Sequence, residues 1–120
     1  MNTIRVGVMS RIEYRQRTIA IASGEYTPSE DEPKVWFESL KSMAQVLGSE
    51  NQELLKVILA NKPQSLSELE SLTGRAKSNL SRTLKTLEKY GIVELNKVNN
   101  MIVPEVKATN FHVEFGLNVA

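Results

Sequence analysis

Apolar positions in the middle of the chain recur at helical spacing. Trp36, Leu40, Met43, Ala44 and Leu47 follow one another at intervals of 4, 3, 1 and 3. This predicts an apolar stripe on a helix over 34–47, with Pro33 in its first turn and Gly48 at its end. Leu54, Leu55, Ile58 and Leu59 carry a second helix to Asn61, where Pro63 stops it; Ser49 and Gln52 are spaced as its capping box. Ser65 and Glu68 form another such box, opening a short helix that turns Leu66, Leu69 and Leu72 inward. Thr73–Gly74 predicts a turn. A longer helix follows over 76–90, with Ala76, Leu80, Leu84 and Leu87 on its apolar side and Gly91 at its left-handed cap.

Towards the two ends the period shortens to two. Ile4, Val6 and Val8 alternate over 3–8 and predict a short strand, and Ser10 with Glu13 then caps a helix over 11–23. "GEYTPSEDEP" (24–33) holds a glycine, two prolines and four acids, and reads as a solvated linker. After Gly91, "IVELN" and "MIVPEVKA" flank "KVNN", where Asn99–Asn100 tolerate positive φ, so a hairpin is expected. Pro104 points to an edge strand or a bulge. In "NFHVEFGL", Phe111, Val113 and Phe115 alternate with His112 and Glu114, which predicts a strand with one buried face.

Helix, short helix, turn, longer helix and hairpin is the order of a winged helix-turn-helix. The predicted class is mainly α with a small β component: a winged helix-turn-helix over 34–108, preceded by a strand, helix and acidic linker over 1–33 and followed by a strand and tail over 109–120. In that motif the longer helix enters the DNA major groove, whose width of about 12 Å admits one helix.

Charge sharpens this. The net charge of the 120 residues is only +1. The window 75–89, however, holds five bases and one acid. On a helical wheel centred on Leu80, the residues Arg75, Ser78, Arg82, Lys85 and Lys89 fall within about 40° of the opposite side, and Asn79 and Ser81 lie on the flanks. Glu88, the one acid, falls about 80° from the core direction. Solvated helix faces mix signs through Glu–Lys pairs, whereas this face excludes acids. Arg suits a guanine edge, Asn an adenine edge, and Lys and Ser suit phosphates.

The stretch "SLSELESLTGRAKSNLSRTLKTLEKYGIVEL" (65–95) resembles the DNA-binding region of MarR- and ArsR-like transcription regulators. The wider chain, from "IRVGVMSR" through "EPKVWFESLKSMAQVL" to "VKATNFHVEFGL", is similar to putative DNA-binding antitoxins of the TumA type, found beside small TumE-type toxins. The resemblance implies a repressor of double-stranded DNA with a further role in sequestering a cognate toxin. It passes the recognition role to Arg75, Lys77, Ser78, Asn79, Ser81, Arg82, Lys85 and Lys89. The wing would contribute Lys97, Asn99 and Asn100, but "NKVNNMIVPE" departs from the usual pattern in offering a single base. Because helix-turn-helix proteins bind two-fold sites as dimers, the stripe of Trp36, Leu40, Met43 and Leu47 is the candidate dimer interface.

Other chemistry is thin. Without cysteine there are no disulfides, thiolate metal sites or thiol nucleophiles. His112 is the sole histidine, no Ser/His/Asp context occurs and no glycine-rich phosphate loop is present. No enzyme, metal or cofactor is therefore expected. No apolar run reaches the ~20 residues of a membrane span and the N-terminus has no apolar signal core, so a cytoplasmic protein is expected. Two readings of the Arg5, Arg11, Arg15 and Arg17 segment stay open: a strand paired with 111–115 beside a solvated helix, or a docking surface for an acidic partner or DNA backbone. A protein-interaction module that neutralises a toxin is the alternative function. RNA binding is a weaker one, since only Tyr90 offers a base-stacking ring on the basic helix.

Overall fold

The computed structural model describes residues 2–117. The chain divides into two compact units that interleave in sequence. Unit 1 takes in Asn2 and Val46–Thr109, and unit 2 takes in Thr3–Gln45 and residues 110–117.

Unit 2 is built on a parallel sheet. Strand β1 (Thr3–Val8) leads into helix α1 (Arg11–Ala22), and the chain returns as β2 (Val35–Phe37). The last strand of the chain, β5 (Asn110–Glu114), also joins this sheet, giving the order β2-β1-β5 with both pairings parallel. Val6 and Phe37 are fully buried on one face. On the other, the Trp36 ring lies over Gly7, where a β-carbon would sit 2.7 Å from Trp36 Cε3 and 3.0 Å from Pro33 Cγ. Ser10 caps α1 by accepting the Glu13 amide at 3.2 Å. The α1 helix buries no residue completely. It is tied to the linker by Arg17, whose guanidinium lies 5.2 Å from the Trp36 ring centre and 5.9 Å from that of Tyr26, and which pairs with Glu32 at 3.0 Å.

Helix α2 (Leu40–Val46) follows, and its last residue belongs to unit 1. Unit 1 continues with α3 (Ser49–Asn61), α4 (Leu66–Thr73) and α5 (Lys77–Lys89), then the hairpin of β3 (Val93–Val98) and β4 (Met101–Val106). Its core gathers Leu54, Leu55 and Ile58 from α3, Leu69 from α4, Leu80, Leu84 and Leu87 from α5, and Ile92 and Val93. Ser65 caps α4 by accepting the Glu68 amide at 3.1 Å, as its spacing predicts. Asn99 and Asn100 both take positive φ, 51° and 64°, in the two-residue turn between β3 and β4. That is the left-handed pair that fits the twist of a tight hairpin. Among the described residues no helix is long and apolar enough to cross a membrane.

Several expectations are corrected. The class is mixed α/β and not mainly α: 46% of the described residues are helical and 22% lie in strands, in a three-stranded parallel and a two-stranded antiparallel sheet. The predicted helix over 34–47 is a strand and a shorter helix. Val-Trp-Phe pairs with Val6–Val8, and Ser39 starts α2 by accepting the Ser42 amide at 3.0 Å. A run of a β-branched and two aromatic residues suits a pleated surface, and the pairing partner outweighs the coincidental helical spacing of Trp36 and Leu40. The capping box at Ser49 does not form. Gly48 occupies the cap position without a side-chain bond, and the Gln52 side chain instead donates to the Leu47 carbonyl. β5 pairs with β1, one of the two readings open for the Arg5 segment, but the face expected to be buried is not, since Val113 is 49% and Phe115 52% exposed.

Gly7→Ala is expected to destabilise unit 2 by about 1–3 kcal/mol, because a methyl group must displace the Trp36 ring. Tryptophan fluorescence during urea unfolding, compared with wild type, measures the loss.

Candidate nucleic-acid interface

The leucine spacing of α5 fixes which way its other side chains face. Leu80, Leu84 and Leu87 are fully buried, so the opposite side of the helix is turned outward. Ser78, Arg82, Lys85 and Lys89 lie on that side and are exposed. Ser81 is half-buried on one flank, and Lys77 is exposed in the first turn. Glu88 leaves the basic face clear by another route: its Oε2 accepts the Leu95 amide of β3 at 3.1 Å. The single acid of the window thus ties α5 to the hairpin.

The turn into α5 is held by side chains from α4. Gly74 takes φ 76° and its amide donates to the Glu70 carbonyl, while Thr73 Oγ1 accepts the Arg75 amide at 3.2 Å. Ala76 stands at the N-cap of α5 and offers no capping oxygen. Glu70 of α4 does this instead, accepting the Lys77 amide at 3.2 Å. A carboxylate at a helix start also suits the helix dipole.

Arg75 and Asn79 stand apart from the other candidates. Arg75 is half-buried and folded along the flank of α5, donating to Asn79 Oδ1 at 2.9 Å and to Thr83 Oγ1 at 3.0 Å. A third nitrogen reaches Asn51 Oδ1 on α3 at 3.5 Å. Both residues line a groove of about 640 Å³ together with Glu50, Glu53, Leu54, Val57 and Leu72. Asn51, Glu70 and Thr83 carry no local signature in the sequence; Asn51 lies 24 positions from Arg75, so only the fold reveals the pairing.

The hairpin residues Lys97, Asn99 and Asn100 are exposed, alongside Val98 and Met101 at 49% and 53%. Lower down, Glu94 and Glu105 face each other across the two strands. Lys107 bridges them at 3.3 and 3.2 Å, and its hydrogen bonds to Glu105 and then Glu94 raise its pKa above the usual lysine value. The hairpin therefore adds little free positive charge to that of α5.

Over residues 46–113 the sequence matches the HVO_A0114 family. The chain belongs to that family. The matched segment runs from the end of α2 to within β5, and so includes α3, α4, α5, the hairpin and every residue of the basic face. No curated protein and no solved structure matches the chain.

The four stripe residues are not brought together on one helix. Trp36 is in β2, Leu40 and Met43 are in α2, and Leu47 lies beyond the end of α2. The Trp36 ring is already engaged by Gly7 and Arg17.

Glu70→Ala is expected to lower the stability of the chain by about 0.5–2 kcal/mol, the usual cost of losing a helix cap. Denaturant unfolding followed by far-ultraviolet circular dichroism measures it.

Proposed function

We propose that this member of the HVO_A0114 family is a cytoplasmic, non-enzymatic regulator that binds double-stranded DNA through α5. One observation carries the proposal: Ser78, Arg82, Lys85 and Lys89 share an exposed face that holds no acid, because Glu88 is turned to the Leu95 amide. Lys and Ser offer donors to phosphates, and Arg82 offers a fork that matches the acceptors of guanine. The turn at Gly74 and the hairpin after Gly91 support the same reading, since they leave α5 exposed along one side. The hairpin brings few bases, so each chain has essentially one reading helix. A two-fold pair of chains on a palindromic site follows from that economy. In a gel-shift series on DNA from upstream of its own gene, Arg82→Ala should weaken binding by about 1–3 kcal/mol and relax the sequence preference at one position. Unchanged binding in Arg82→Ala, Lys85→Ala and Ser78→Ala would remove α5 from the interface.

A second reading makes a protein partner the main ligand, a toxin in the case that the resemblance implies. Unit 2 favours it. Ile12 and Ile19 on α1 are 72% and 59% exposed, and Val113, Phe115 and Leu117 at β5 and beyond are exposed as well. Large apolar side chains left in solvent on α1 and at β5 offer a protein partner area to bury. Light scattering on the purified chain, alone and co-expressed with the product of the adjacent gene, separates the readings. A heteromeric complex abolished by Val113→Ser with Phe115→Ser supports the partner reading, and a complex untouched by those changes removes unit 2 from it.

A further inference from the structure

We infer that Arg75 is a positioning residue, which clamps α5 to α3 through Asn51 and leaves DNA contact to Ser78, Arg82 and Lys85. This rests on the reading of α5 as the DNA-binding helix.

By residue type and place Arg75 looks like a DNA contact: it is a base two positions before a basic helix. Its geometry says otherwise. The guanidinium presents five N–H groups in a rigid planar fork. Nε is committed to Asn79 Oδ1, Nη2 to Thr83 Oγ1 and Nη1 to Asn51 Oδ1. Each nitrogen is thus engaged through one N–H, and the side-on fork of Nε and Nη2 is closed to a guanine edge unless the Asn79 bond breaks. Asn79 and Thr83 lie one and two turns into α5, so the side chain runs along the helix and not away from it. Its backbone is held too, by the bond from its amide to Thr73 Oγ1. Asn51 is anchored in turn, its Nδ2 donating to the Val46 carbonyl at 3.0 Å. A continuous polar path therefore runs from the start of α3 to the second turn of α5.

The surroundings agree. Glu50 and Glu53 of α3 line the same groove as Arg75 and Asn79. Two carboxylates there, one of them paired with Lys56 at 3.2 Å, make this side of α5 less favourable to phosphate than the Arg82 side. The carbonyl oxygen of Asn79 accepts from Arg75, which takes one of its two acceptor positions and holds the side chain along the flank of α5.

What the clamp supplies is direction. Leucine packing fixes how deep α5 sits, but apolar contacts are non-directional and tolerate small rotations about the helix axis. Hydrogen bonds with defined angles do not. A reading helix must hold its side chains to about half an ångström, and a directional tie between α3 and α5 sets the face that Arg82 presents.

The test uses the full chain with two duplexes, one from upstream of its own gene and one of scrambled sequence, over a range of salt concentrations. The variants are Arg75→Lys, Arg75→Met, Asn51→Ala and Lys85→Ala. Lysine keeps the charge but cannot form the fork, so a positioning role predicts that Arg75→Lys and Asn51→Ala both lose about tenfold in preference for the upstream duplex. Their salt slopes should match wild type, and the two changes combined should cost no more than either alone. Lys85→Ala, which removes a phosphate contact, should by contrast reduce the slope by about one. A merely destabilising change would lower binding to both duplexes equally, without altering the preference. The inference is overturned if Arg75→Lys binds as wild type while Arg75→Met reduces the slope by about one, or if Asn51→Ala leaves the preference intact. Should wild type bind neither duplex, the DNA reading falls separately. The clamp is then decided by urea unfolding of Arg75→Met, Asn51→Ala and the double variant, where strict additivity overturns it and non-additivity supports it.

Discussion

Burial of Leu80, Leu84 and Leu87 is the constraint on which the rest of unit 1 depends. Three leucines at spacings of four and three commit one side of α5 to the core that α3, α4, Ile92 and Val93 complete. The same commitment determines what is left outside. With the helix seated on its leucines, Arg82 and Lys85 are turned to solvent, Lys89 lies 5.9 Å from the Tyr90 ring centre, and Glu88 falls within reach of the β3 backbone. The basic face is thus a consequence of core packing, reached before any ligand is considered.

Polar ties then refine what the leucines begin. Thr73, Gly74 and Glu70 fix the turn before α5, and Glu70 compensates for the absent capping side chain at Ala76. Arg75 adds a lateral bond to α3. These are local, directional interactions laid over a non-directional core. They account for the otherwise odd choice of alanine at a helix start, since the oxygen that Ala76 lacks comes from the preceding helix.

How far the sequence could be read follows from the range of the interactions involved. Ser65, Gly74, Gly91 and the Asn99–Asn100 turn depend on neighbours within a few positions, and their roles could be read directly from residue type and spacing. The outward turn of Arg82 and Lys85 was also legible, because a helical wheel needs only the position of the leucines. β2 was not. Trp36 sits at helical spacing from Leu40, and the deciding interaction is a strand partner nearly thirty positions earlier, Val6–Val8. The mixed α/β class is hidden for the same reason: three short strands far apart in sequence form one parallel sheet, and no one of them signals the others. Phe115 and Val113 misled differently. Alternation shows only that the two faces differ, not that the apolar one is covered. The commitment of Arg75 to Asn51 had no sequence signature at all.

A chain of net charge +1 does not build a basic surface by accumulating bases. It does so by settling its acids elsewhere. In unit 1, Glu88 is spent on the Leu95 amide and Glu70 on the Lys77 amide, while Glu94 and Glu105 are bound together by Lys107 and Glu68 accepts the Gln64 amide. Each of these carboxylates is tied to a donor within unit 1. Glu50 and Glu53 remain on the Arg75 flank, where they mark the limit of the basic face. The field that an approaching polyanion meets is therefore shaped less by the number of lysines and arginines than by the hydrogen bonds that fix where the glutamates lie.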